Sequence, residues 1–109
     1  TWVWTAADQL FLGVLAELRA RGIRVILDGV FNHTGERFWA FEDLRRQQQA
    51  SPFASWYQVT RWDDPATPDT SEFDWEGWWG FRPLALFADT PDGADLHPGV
   101  KAHVFAATR

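Results

Sequence analysis

A helix that runs without a loop into a β-branched, largely apolar segment sets the terms for this chain. Leu10, Phe11, Val14, Leu15 and Leu18 recur at helical spacing and form one apolar stripe, while Glu17, Arg19 and Arg21 stay polar. Thr5-Ala6-Ala7-Asp8 puts a hydroxyl three residues before a carboxylate, the spacing that satisfies orphan amides at a helix start. Gly22 stands where a left-handed cap would end the helix, which gives it about four turns. Ile23-Arg24-Val25-Ile26-Leu27 follows at once, β-branched and with little alternation, as in a parallel strand covered on both faces. A helix feeding such a strand is half of a repeating α/β unit, whose preceding strand would lie before Thr1. The expected fold class is α/β.

After Leu27 the regular pattern lapses for about seventy residues, too many for an ordinary loop. It resumes at residues 98–105, a helix with Pro98 in its first turn. In between, the sequence predicts short helical pieces at 38–48 and 52–56, a stretch rich in Pro and Asp at 63–74, and an aromatic cluster at 73–81. This reads as a small subdomain, residues 34–97, inserted between a barrel strand and its helix.

Composition narrows the function classes. The 109 residues start at Thr1 and include no Met, so the chain reads as a piece of a longer protein. No apolar run reaches the roughly 20 residues of a membrane span, and no basic segment precedes an apolar one at the amino end. A net charge of -5 without a basic run argues against nucleic acid as a partner. The absence of Cys excludes disulfide and thiolate chemistry. Trp occurs 8 times, and Trp56, Trp62, Trp75, Trp78 and Trp79 lie close together, a density suited to a core or to a surface that stacks flat ligands.

In α/β barrels, residues just past the carboxyl ends of strands face the active site, which makes Asp28-Gly29-Val30-Phe31-Asn32-His33 a candidate. Spacing alone fits a plain turn equally well, with Asp-Gly to start it and Asn to brace it. The whole stretch from Gly22 to His33 closely resembles the first conserved region of the α-amylase superfamily, glycoside hydrolase family thirteen, whose pattern at a strand end is Asp, three residues, Asn, His. Phe38-Trp39-Ala40-Phe41, Ser51-Pro52-Phe53-Ala54-Ser55-Trp56-Tyr57, Phe73-Asp74-Trp75-Glu76-Gly77-Trp78-Trp79-Gly80-Phe81 and the Pro98 helix resemble the neopullulanase and cyclomaltodextrinase branch. The likeness covers Gly22 to Arg109. Leu84-Ala85-Leu86 departs from it, since the family usually carries Pro after the Leu.

This resemblance implies that residues 1–109 belong to the catalytic domain of a (β/α)8 TIM barrel, as helix, third strand, inserted subdomain and following helix. It implies that His33 donates a hydrogen bond to a sugar hydroxyl beside the scissile bond. Asp28 would be buried behind the site, keeping polar groups in register, and Asn32 would brace the loop. The matching Asn ligates calcium in many α-amylases, so calcium at Asn32 is the one cofactor considered; the resembled branch often lacks it, and neither cofactor nor metal is expected. Trp75, Trp78 and Trp79 either stack on glucose rings or pack the subdomain, and Trp78 and Trp79 are taken with His33 as substrate-binding. His97 and His103 are expected at the surface of the last helix and its cap. Asp89-Thr90-Pro91-Asp92-Gly93-Ala94-Asp95 reads as a solvated turn.

Retaining cleavage of an α-glycosidic bond needs two carboxyl groups about 5 to 5.5 Å apart. The family places them after the fourth and fifth strands, and a third acid after the seventh, so no catalytic residue is expected among residues 1–109. The implied parent cleaves α-1,4 bonds, with α-1,6 bonds as the second linkage, in starch-type glucans or cyclodextrins, while the piece alone is expected to be inactive. The branch further suggests a cytoplasmic homodimer, paired through an amino-terminal domain outside this chain. A non-catalytic carbohydrate-binding module and a barrel homologue without its acids are the competing readings.

Overall fold

Helix α1 (Ala6–Ala20) opens on the capping box that its sequence predicts. The Asp8 amide donates to Thr5 Oγ1 at 3.2 Å, and the Thr5 amide donates to the Asp8 carboxylate at 2.7 Å. The Thr5 amide first, and then the Thr5 hydroxyl at 2.8 Å, donate to the Asp8 carboxylate and hold it below its ordinary pKa. Gly22 takes φ +75° and closes the helix, with the Ile23 amide donating to the Leu18 carbonyl at 2.9 Å. The computed structural model describes residues 3–68 and 72–108.

Beyond Gly22 the chain differs from expectation. Residues 23–31 join no ladder among the described residues, and Ile26 and Leu27 are 94% and 64% exposed. A parallel strand is stable only between neighbours that take up its amides and carbonyls, and no described segment lies alongside this one. No closed barrel is therefore formed. The molecule is a mixed set of helices and antiparallel strands.

Those strands lie in the long irregular stretch. Strands β1 (His33–Gly35), β2 (Val59–Arg61), β3 (Asp74–Trp75), β4 (Gly77–Trp78) and β5 (Phe81–Leu86) make two small antiparallel sheets, one ordered β1-β5-β4 and the other β2-β3. In the first, His33 faces Leu86, Thr34 faces Ala85, and Ala85 faces Gly77 on its other side. Single hydrogen bonds join the sheets: the Glu76 amide donates to the Gln58 carbonyl and the Leu86 amide to the Glu76 carbonyl, both at 2.9 Å. At two to six residues, most of these strands are too short to show the alternation that reveals a strand in sequence.

The core belongs to this part of the chain. Helix α2 (Trp39–Gln47) buries Ala40, Phe41 and Leu44 against Tyr57, Trp75, Ala85 and Phe87, and helix α3 (Pro98–Thr108) adds Val100. Phe41 meets Tyr57 and Trp75 edge-on, at centroid distances of 4.9 and 5.0 Å. Each such side chain contributes on the order of 1.5–3 kcal/mol by leaving water. Short 3-10 turns, Gln48–Ala50 and Ala54–Trp56, complete the helical pieces.

Of two further placements, Trp75 takes one of the two roles left open for it and His103 differs from expectation. Trp75 is core: its Nε1 donates to the Arg82 carbonyl at 2.9 Å, and the Arg82 guanidinium, paired with Asp74, lies 4.4 Å above the ring. His103 is half-buried rather than on the surface, and its ring meets Phe38, Trp39 and Trp56 at 5.5 to 5.9 Å. Burial lowers its pKa. Both follow from amphipathic side chains packing apolar bodies inward, which sequence spacing in so irregular a stretch does not reveal.

Candidate functional site

The end of the conserved stretch forms the start of β1, and the sheet decides what surrounds it. Because β1 and β4 flank β5, the ring of His33 on β1 reaches that of Trp78 on β4, and the two stack at 4.9 Å with planes 18° apart. Trp78 stacks on Trp79 at 4.7 Å and 20°. His33, Trp78 and Trp79, read separately from the sequence, form one three-ring stack with Trp78 in the middle. Its outer member, Trp79, is 91% exposed.

Local geometry explains how two large rings come to occupy a hairpin turn. The Gly80 amide donates to the Gly77 carbonyl at 2.8 Å, closing a tight turn around Trp78 and Trp79. A side chain at Gly77 would meet the Phe81 carbonyl group at 2.3 Å, so only glycine fits there. Trp79 itself sits at φ +52°, a region that costs a bulky residue about 1–2 kcal/mol. Strain of this kind at an exposed aromatic residue is characteristic of functional sites. The Gly-Trp-Trp-Gly spacing was the signal for this hairpin, and it was open to a sequence reading that looked for turns within the aromatic cluster.

Polar contacts fix the rest of the motif. His33 Nδ1 lies 2.9 Å from Asn32 Oδ1, which can only accept, so the imidazole donates through Nδ1. Thr34 Oγ1 shares a 3.0 Å hydrogen bond with the Tyr57 hydroxyl. Burial pushes Tyr57 up to about 12, despite the hydrogen bond from Thr34. The sequence reading missed this bond, since 23 residues separate its partners. Asp28 stands apart from the cluster: it is exposed and makes no side-chain hydrogen bond among the described residues, in contrast to its expected burial. Burial at a strand end depends on the barrel around it.

Among the described residues no group of three or more His, Cys, Asp or Glu side chains could hold a metal ion. The acids at 89–95 are spent on a turn: Asp92 bonds Thr90, and Asp95 pairs with Lys101. A cavity of about 670 Å³ between α1 and α3, lined by Thr5, Asp8, Trp39 and His103, includes none of residues 28–33. No helix of the described residues is long and apolar enough to cross a membrane.

Comparison with known proteins gives the family. The sequence profile of the family described as alpha amylase, catalytic domain, matches residues 7–93. The chain belongs to that family. It is 32% identical over 105 residues to an amylopullulanase of Thermoanaerobacter thermohydrosulfuricus, covering 76% of this chain and 6% of that protein. It is 35% identical over 66 residues to neopullulanase 2 of Thermoactinomyces vulgaris, covering 61% of this chain and 11% of that one. Among solved structures it resembles the cyclic alpha-maltosyl-(1-->6)-maltose hydrolase of Arthrobacter globiformis, with a TM-score of 0.69 and 31% identity over 93% of this chain and 21% of the other. The chain thus spans a small part of each of these relatives. Membership brings residues 7–93 into an α-amylase catalytic domain, a TIM barrel of which this chain forms an open piece, and its three helices do not suit an all-β binding module.

Proposed function

We propose that this chain is the third-strand and insertion segment of a retaining glycoside hydrolase that cleaves α-1,4 bonds, with α-1,6 bonds as the second linkage, in starch-type glucans or cyclodextrins. The observation that carries the reading is the stack of His33, Trp78 and exposed Trp79, with Asn32 on the imidazole, at the end of the conserved stretch. An open aromatic face beside a hydrogen-bonding imidazole suits a sugar ring, which offers an apolar face and a rim of hydroxyls. The pullulanases among its relatives and the maltosyl-maltose hydrolase among its structural neighbours support the substrate class. Residues 34–97 act as the inserted subdomain that carries this surface, and Asp28 lies behind His33 once barrel neighbours enclose residues 23–31.

The chemistry requires two carboxyl groups, one to attack the anomeric carbon and one to protonate the leaving oxygen, and needs no cofactor. Both come from later barrel strands, so residues 1–109 bind and orient while other segments perform the cleavage. Purified alone, the chain releases neither glucose nor maltose from maltooligosaccharides or cyclomaltodextrins; sustained release would overturn the assignment of roles. In a longer protein that includes the later strands, hydrolysis is expected with retained configuration. There, His33→Ala lowers kcat/KM by roughly 5- to 100-fold, the range of one hydrogen bond that tightens in the transition state.

A further inference from the structure

The stack assigns different tasks to the two tryptophans, and the contacts of His33 decide how it meets a ligand. We propose that Trp78 is a positioning residue for His33, and that with Asn32 it presents the imidazole as a hydrogen-bond acceptor through a bare Nε2. This rests on the reading of His33 as a sugar contact.

Asn32 Oδ1 has no proton to give, so the 2.9 Å contact requires the proton on His33 Nδ1. A neutral imidazole carries one N–H, which leaves a lone pair on Nε2. In that neutral form His33 accepts from a sugar hydroxyl, whereas the family resemblance implies that it donates. A single hydrogen bond still lets the ring pivot about the Asn32 contact. The nearly parallel face of Trp78 removes that freedom. Trp78 is itself held by the turn that Gly77 and Gly80 close, and its second ring neighbour is Trp79. As the middle layer it has its faces engaged, so the surface open to a glucose ring is that of Trp79.

Nitrogen-15 NMR of the full chain labelled at histidine reads the tautomer directly, with His33→Gln identifying the His33 signals among the three histidines. With the ring in its neutral form, the wild type is expected to show a single tautomer, protonated at Nδ1. Trp78→Leu gives a mixture of the two tautomers, and Trp78→Phe, which restores a flat face, returns the single one. Asn32→Ala removes the Nδ1 preference with Trp78 in place; Asn32 lies outside the buried core, so this variant keeps the methyl signals of Leu44 and Val100. Trp79→Ala leaves the His33 signals as in the wild type but weakens maltooligosaccharide binding about tenfold. A neutral wild-type ring protonated at Nε2, or a tautomer unmoved by either Trp78→Leu or Asn32→Ala, would overturn the proposal. If the tautomer behaves as stated and no α-glucan perturbs it, the positioning holds and the sugar-contact reading fails.

Discussion

At the residue scale, strain and stacking oppose each other at Trp79. Replacing it with Asn, which tolerates positive φ, relieves about 1–2 kcal/mol and forfeits a ring pair of about 0.5–1.5 kcal/mol. The two nearly cancel, so Trp79→Asn should shift urea unfolding by less than about 1 kcal/mol while removing the exposed aromatic platform. Unchanged glucan affinity would mean that the ring is not a sugar platform. Gly77→Ala behaves oppositely, because its methyl would press on the Phe81 backbone rather than on a movable side chain; a loss of about 2 kcal/mol or more is expected in the same assay. Tyr57 adds a pH test. It is the one Tyr in the chain, so phenolate absorbance reports it alone. Its folded pKa, about 12, lies above the ordinary 10, so the folded state holds the proton more tightly. Its contribution is complete below pH 10 and is lost as pH rises toward 12. Absorbance of the native chain should stay flat near pH 10, and Tyr57→Phe should unfold with less dependence on pH over that window.

At the scale of elements, legibility followed period and length. Helix α1 could be read to the residue at its start because a capping box is a local pattern of two side chains, and Gly22 announced the end by backbone conformation alone. The sheet was not legible: β1 pairs with β5 about fifty residues away, and β3 and β4 hold two residues each. The site was legible in its members, His33, Trp78 and Trp79, but not in their arrangement, since stacking order depends on β1 and β4 flanking β5. The segment 23–27 was read as a strand from composition and remains unpaired, because pairing is a property of neighbours rather than of sequence. Two elements allow direct tests. Since α1 buries no residue, local terms matter to it, and Thr5→Ala should cost about 1 kcal/mol and visibly lower helicity by circular dichroism. Helix α3 is joined to the subdomain partly through His103, whose pKa burial lowers. The unfolded state takes up the proton first as pH falls below about 6.5, so this packing stabilises above that pH and is lost below it. Hydrogen exchange of α3 should accelerate between pH 7 and 5, after correction for intrinsic exchange, and His103→Phe should remove the acceleration.

At the scale of the whole molecule, the chain divides into a packed part and an uncovered one. Its radius of gyration is 17.2 Å, against about 13 Å for a compact chain of this length. Every buried hydrophobic residue lies between Ala40 and Val100, whereas Leu10, Ile26, Leu27 and Val30 stand 52–94% exposed on α1 and the segment after it. An apolar surface of that kind is covered when a protein is complete. The relatives supply the reason, since this chain spans a fraction of each and a barrel strand acquires its neighbours only from the remainder. Stability should therefore be uneven, with local opening easiest where few apolar contacts must break. Trypsin should cut first at Arg21 and Arg24, leaving a resistant product that contains residues 32–108, and that product should retain the near-ultraviolet signal of the packed tryptophans. In a longer protein that supplies the adjoining strands, the same two sites should be protected. Equal protection in the short chain would mean that residues 23–31 find a cover of their own, and first cuts at Arg45 or Arg61 would place the weak point inside the subdomain instead.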